Sequence, residues 1–445
     1  MAKIVVVGAN HAGTAAVNFL LDLNKQNEVI VFDRNTNISF LGCGMALWIG
    51  NQISGSDGLF YSSKEKLEAK GAKVFMEAEI SHIDFDKKIV HGTYKDGSEI
   101  KQDYDKLILA TGSLPIKPNV PGIDLENVQW VKIFQNAQTL IDKLKTEPIK
   151  NVAVIGAGYI GVELAEAFKR HKKNVTLIDA MPSSLSNYYD PEFTSLMDAN
   201  LKEHGIQLAY SQMVKEIKGK NGKIAAVVTD KGEYPCDLAT VCIGFKPNTA
   251  LGKDRLETFK NGAYLVNTKQ ETSMKDVYAI GDCATILDNS IAKKSYIALA
   301  TNAVRSGIIA AYNASGIPLD SIGVQGSNGI NIYDLKMVST GISVTRAKKL
   351  GIDVEYTDFE DLQKPAFMEH DNPKVKIRIV YDKKTRAVLG AQMASTYDMS
   401  MGIHMFSLAI QEKVTIDKLK LLDIFFLPHF NQPYNYITMA ALSAK

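Results

Sequence analysis

A cysteine between two glycines, Gly42-Cys43-Gly44, stands where an apolar run meets the helix-like string MALWIGNQI at 45–53. The thiolate is the nucleophilic form of cysteine, and amides at a helix N-terminus favour it over a thiol of ordinary pKa near 8.5. Cys43 is therefore a candidate nucleophile; the competing reading is a buried inert thiol. Cys236, Cys242 and Cys283 read as structural thiols, with no CxxC spacing and no dense disulfide framework. The eight histidines, His11, His82, His91, His171, His204, His370, His404 and His429, show no metal-ligand spacing. No metal site is expected. His11 alone lies inside a glycine turn, where its residue type reads as structural or exposed.

That turn, Gly8-Ala9-Asn10-His11-Ala12-Gly13, follows the strand-like KIVVVG and opens a string of helical spacing, AGTAAVNFLLDL. A second strand-like run, EVIVFD, ends on Asp33, 20 positions after Gly13. This is the spacing of a dinucleotide site, with pyrophosphate at the helix N-terminus and a carboxylate on the ribose hydroxyls. Here the middle glycine of the pattern is Asn10. The pattern returns complete as Gly156-Ala157-Gly158-Tyr159-Ile160-Gly161, and the next strand ends on Asp179, 18 positions further. The alternative for both is a glycine-rich turn without a ligand. Two nucleotide-binding units in one chain follow from the repeat. Asp179 is followed by Ala180, Met181 and Pro182, with no arginine for a 2′-phosphate, which favours NADH over NADPH. Three more strands end in glycine turns: KLILATGS at 106–113, ATVCIGFKPN at 239–248 and VYAIGDCA at 277–284.

The elements that position these residues fit a chain of 445 residues, long enough for about three domains. Hydrophobic residues are 46% and charged residues 22%, enough apolar side chain for real cores. A net charge of +2 argues against nucleic acid and a polybasic membrane surface. The N-terminal apolar stretch is too short for a signal-peptide core, and no run approaches the length of a membrane span, so a cytoplasmic protein is expected. PIKPNVPG at 115–122 reads as a connector, another boundary falls near 245–260, and from about Val324 the pattern is a sheet with helices on one side.

The order GANHAG, Asp33, ATGS, GAGYIG, Asp179, IGFKPN, AIGDCA resembles, over the whole chain, the flavoprotein disulfide reductases with two dinucleotide-binding domains. SFLGCGMALWIG at 39–50 resembles their single-cysteine branch, which holds water-forming NADH oxidases, NADH peroxidases and coenzyme A disulfide reductases; the disulfide branch's second cysteine is Trp48 here. ALATNAVRSG at 298–307, VQGSNGI at 324–330 and FFLPHFNQPYN at 425–435 are most similar to the oxidase members. Val304 stands where the peroxidases carry arginine. The string around Cys43 also lacks the preceding asparagine and following tyrosine pair of the coenzyme A enzymes.

The resemblance implies an α/β fold: two Rossmann-like domains and a C-terminal α+β dimerisation domain. It divides the chain into an FAD domain in two parts, 1–117 and 246–322, an NAD domain at 118–245 and a dimerisation domain at 323–445. FAD is implied on Gly8, Asn10, Gly13, Asp33, Ser113, Lys132, Asp282, Ala300 and Thr301. NADH is implied on Gly156, Gly158, Ile160, Asp179 and Gly244, with Tyr188 on the adenine. Ala9, His11, Ala12, Cys43, Ala110, Gly161, Gly281, Leu299, Gly329 and Phe425 complete the cofactor-contacting set. Tyr159 is expected to cover the flavin until nicotinamide displaces it, the alternative being a helix-capping aromatic. The implied activity is an NADH oxidase reducing O2 to two waters at the expense of two NADH. In it Cys43 cycles between thiolate and sulfenic acid and His11 does acid-base work. NADH peroxidase, coenzyme A disulfide reductase, a non-enzymatic NADH-responsive flavoprotein and an electron donor to a separate protein are the alternatives. A homodimer is expected, with the aromatic run Phe425, Phe426, Phe430, Tyr434 and Tyr436 close to the partner's site.

Overall fold

The run Ile4-Val5-Val6 is fully inaccessible to solvent, which requires cover on both faces of its strand. In the computed structural model, which describes residues 2–445, the strand Lys3–Val7 lies at the centre of a five-stranded parallel sheet. Its order is Val277–Ala279, Lys106–Leu109, Lys3–Val7, Glu28–Phe32, Lys73–Phe75. The helices His11–Leu23 and Ala300–Ala314 pack against each other beside this sheet. Gly307 permits the approach, because a Cβ there would lie 2.4 Å from the Ala12 carbonyl oxygen.

The second unit repeats the first more fully than its motif suggests. Its parallel sheet runs Gln207–Ala209, Asn174–Ile178, Asn151–Ile155, Leu238–Val241, Val128–Trp130. In both units, counting from the strand before the glycine turn, a three-stranded antiparallel meander stands between the third and fourth parallel strands: Ala78–Asp84, Ile89–Tyr94, Glu99–Asp103 in one, Val214–Lys220, Lys223–Thr229, Glu233–Pro235 in the other. The edge strand precedes the second unit in the chain and follows the first. The strands Ser113–Pro115 and Phe245–Pro247 pair antiparallel where the chain passes between the units. The string 239–248 is thus two strands, broken at Gly244, whose φ of +104° L side chains rarely adopt.

The C-terminal sheet is antiparallel, ordered Asn328–Ile332, Leu335–Gly341, Val388–Ser395, Lys374–Asp382, Val354–Leu362. Its Val375, Ile377, Ile379 and Met393 pack with the helices Ile403–Gln411 and Tyr436–Leu442. Ile330, Ile332, Met337 and Ala394 join the core of the second nucleotide unit instead. Two expectations need correction. Tyr436 is buried at the start of its helix and does not belong to the exposed aromatic run. The helix after Cys43 is a single short one, Met45–Ile49, with Cys43 in the 3-10 turn Gly42–Gly44 before it. Among the described residues, no helix is long and apolar enough to cross a membrane.

Candidate active site

The two glycine turns face one continuous cavity of about 1580 Å3. Gly8 and Gly156 have φ of +98° and +104°, and a Cβ on either would strike the neighbouring strand end, 2.3 Å from Ala110 O and 2.5 Å from Cys242 O. This accounts for the glycine-turn strings at 106–113 and 239–248: each turn sits against the end of a parallel strand. The two acidic residues act alike. Asp33 Oδ2 accepts from the Ala9 amide at 2.7 Å, and Asp179 Oδ2 accepts from the Ala157 amide at 2.5 Å. Asp33 Oδ1 also takes the Asn35 amide and side chain, and Asp179 Oδ1 takes the Met181 amide. Each carboxylate fixes its turn while keeping lone pairs on the cavity wall for ribose hydroxyls. Burial raises the Asp33 pKa, and its hydrogen bonds from Asn35 and Ala9 oppose that rise.

Gly13 and Gly161 do not line the cavity. A Cβ would fall 1.9 Å from Gly8 O at Gly13 and 1.8 Å from Gly156 O at Gly161, so both let the helix close on its own turn. Gly158 has open space where a Cβ would go and faces the cavity. Ala9, Asn10, His11, Ala12, Ala110, Gly281, Leu299, Ala300, Thr301 and Gly329 reach the cavity as expected, with Ile160, Tyr188 and Gly244. Phe425 does not: it is 66% exposed, in the irregular segment before the last helix. A contact from it to a cofactor needs a second chain.

Ser113, Lys132 and Asp282 form one cluster. Lys132 Nζ donates to Ser113 Oγ at 3.0 Å and lies 3.5 Å from Asp282 Oδ2, while Ser113 donates to Asp282 at 2.8 Å. The ammonium also stands 4.1 Å from the centre of the Phe245 ring. An anchored cation, two sets of turn amides and a cradle that only glycine permits suit a flavin dinucleotide in one half of the cavity and a nicotinamide dinucleotide in the other.

Cys43 is exposed toward this cavity, and its pKa contradicts the helix-end argument. Burial pushes the thiol up, and the Glu163 carboxylate pushes it further. A five-residue helix supplies too little dipole to reverse this. Glu163 was missed from the sequence. Four residues after Tyr159 on the same helix, it lines the cavity, and burial raises its pKa to about 7. The available signal was a pair of acidic residues, Glu163 and Glu166, on the helix that opens at the second glycine turn. His11, also on the wall, is held below its ordinary pKa by burial, and its Nδ1 lies 3.1 Å from the Tyr61 hydroxyl. The two rings stack with centroids 5.7 Å apart. Nothing in the sequence around Tyr61 signals that partnership. Cys242 also lines the cavity, but burial pushes its thiol up to about 12.

The model of the pyridine nucleotide-disulphide oxidoreductases matches residues 2–307, and that of their dimerisation domain matches 329–435. The chain belongs to this family. As a pyridine nucleotide-disulphide oxidoreductase it is 59% identical to the NADH oxidase of Streptococcus pyogenes, with all of both chains covered. It is 54% identical to that of Lactococcus lactis, also over both full lengths. Among solved structures, the water-forming NADH oxidase of Lactobacillus brevis bound to NADH superposes with a TM-score of 0.96 at 39% identity, covering 99% of this chain and 98% of that one. The α/β architecture read from the sequence is the family's.

Proposed function

We propose that this oxidoreductase is an FAD-dependent NADH oxidase that reduces O2 to two H2O. One observation carries the site assignment: the exposed thiol of Cys43 and the imidazole of His11 share the wall of the cavity that joins both dinucleotide turns, with Trp48 where a second cysteine would stand. Similarity to NADH oxidases over the full chain supports the activity.

Bound FAD supplies hydride acceptance from NADH and electron delivery to O2. The N-terminal amides of the helix His11–Leu23 would hold its pyrophosphate, Asp33 its ribose, and Lys132 would stand as the fixed cation, while the turn at Gly156 and Asp179 would bind NADH. Cys43 rests as a thiol because burial and Glu163 disfavour its charge. His11, kept neutral by burial, takes the thiol proton. The first NADH and a solvent proton supply the two electrons and two protons that make H2O2 from O2; the sulfur attacks one peroxide oxygen, the S–O bond forms as the O–O bond breaks, and His11 returns the proton to the departing oxygen as water leaves. Two further electrons and two protons, from a second NADH and solvent, convert the sulfenic acid to thiol and a second water. Without a resolving cysteine at position 48, the sulfenic acid is itself the redox partner.

The domain limits 1–117, 118–245, 246–322 and 323–445 belong to this proposal, supported by the three sheets. So does a homodimer: Leu421, Phe425, Phe426, Phe430 and Tyr434 form an exposed apolar run within or beside the matched dimerisation domain. A cytoplasmic setting fits an NADH-dependent reaction and four unpaired cysteines. An oxygen electrode with and without catalase is the test. About two NADH per O2, with no oxygen returned by catalase, is expected; consumption of added H2O2 without consumption of O2 makes the protein a peroxidase instead.

A further inference from the structure

Tyr159 heads the helix Tyr159–Arg170, and its hydroxyl enters a cluster built by other parts of the chain. It donates to Asn328 Oδ1 and lies 2.9 Å from the Tyr189 hydroxyl. Asn328 belongs to the first strand of the C-terminal sheet, 169 positions away. Its amide cannot turn freely: Nδ2 donates to Gly326 O at 2.7 Å, which aims Oδ1 at Tyr159. The cross-strand neighbour Ser339 donates to the same oxygen at 3.1 Å.

We propose that Asn328 is a positioning residue, the catch that holds Tyr159 over the nicotinamide site. This rests on the reading that Tyr159 is the gate of that site. Its surroundings divide into fixed and movable parts. Tyr189 is 1% exposed, and the next residue, Asp190, is tied to the C-terminal domain. Asp190 accepts from the Val344 and Thr345 amides at 3.1 and 2.8 Å and from Gln392 Nε2 at 2.6 Å, and pairs with Arg378 at 3.2 Å. Tyr189 therefore cannot follow Tyr159. Tyr159, by contrast, follows a glycine, is only partly buried, and has its ring on the cavity wall, edge-on to Tyr188 at 4.5 Å.

When Tyr159 swings out, the buried Tyr189 hydroxyl, already 3.5 Å from Asn328 Oδ1, takes its place there. No buried polar group is stranded, so opening gives up about one hydrogen bond. A catch of that size keeps the site covered between turnovers yet yields to NADH. Loss of the catch removes a burden on NADH affinity, because apparent affinity falls with the fraction of gates that stand open.

The test is a double-mutant cycle on the FAD-loaded enzyme with Tyr159→Phe, Asn328→Ala and the pair, read as NADH KM, kcat and flavin fluorescence. A phenol ring over a flavin quenches its emission. Each single variant is expected to lower KM about fivefold, the worth of one ordinary hydrogen bond, and to raise fluorescence. The pair should do no more than either single. Tyr159→Phe keeps the ring and guards against a fold defect in Asn328→Ala. In FAD-free protein, 3-fluorotyrosine at position 159 should change its 19F shift on Asn328→Ala. Additive effects, a raised KM or an unmoved 19F shift in Asn328→Ala overturn the catch and leave the gate standing. If Tyr159→Ala changes neither KM nor fluorescence, the gate reading fails and the catch with it.

Discussion

Replacement of Cys43 by serine separates the two halves of the proposed reaction by electron count. The substitution is nearly isosteric and leaves the tight packing of Gly44 on Leu59 untouched. FAD content should therefore match the parent. A serine hydroxyl stays protonated and is a far weaker nucleophile toward peroxide, so the S–O bond does not form. No other thiol replaces it. Cys236 and Cys283 are buried, and Cys242, though on the cavity wall, has a thiol pushed up to about 12. The parent passes four electrons to each O2 and consumes about two NADH; the variant stops after two electrons, consumes about one NADH and releases about one H2O2. Catalase returns half of that oxygen, so the variant's net O2 uptake per NADH with catalase equals the parent's without it. The assay is NADH absorbance and O2 uptake in one cell, with peroxide measured at the end. Equal peroxide yields from parent and variant would falsify the role given to Cys43.

Gly161→Ala should destabilise the protein by about 1–3 kcal/mol in urea unfolding, because its Cβ meets Gly156 O at 1.8 Å. Gly158→Ala, with open space for its Cβ, should stay within about 0.5 kcal/mol; equal losses at both sites refute the packing argument. Glu163→Gln removes a charge that raises the Cys43 pKa, so alkylation of FAD-free protein should reach its half-maximal rate at lower pH than in the parent. An unchanged profile shows that Glu163 does not set the thiol's ionisation. NADH should exceed NADPH in kcat/KM by at least about tenfold, or ~1.4 kcal/mol, since Asp179 lines the cavity beside the second turn, where its carboxylate would repel a 2′-phosphate. Equal efficiencies would sink that role.

How much of this was legible in the sequence depends on how far apart the deciding residues lie. The turns and their aspartates were legible because a strand, a glycine turn and a returning strand are local: Gly8 to Asp33 and Gly156 to Asp179 each span one βαβ unit. The repeated meander was not, because alternating strands leave the outward positions free to diverge and no shared motif survives. The packing role of Gly13 and Gly161 was hidden for a related reason. The pattern marks where a side chain is forbidden, and a helix backbone forbids it as firmly as a phosphate does.

The ionisation of Cys43 illustrates the other limit. Its local string suggested a lowered pKa, yet burial and Glu163, 120 positions away, decide it. In the proposed reaction such a thiol needs a base at the moment of attack, and His11 lies on the same wall, its pKa lowered by burial and its Nδ1 3.1 Å from the Tyr61 hydroxyl. The two shifts have one cause. Burial disfavours charge on both groups, so in the proposed reaction thiol and imidazole would be the neutral pair from which a proton moves toward the imidazole as the sulfur finds its oxygen. An enzyme that works as proposed would keep no free thiolate at rest; it would form the nucleophile with peroxide in place, and the proton removed from Cys43 would be the one the leaving oxygen requires.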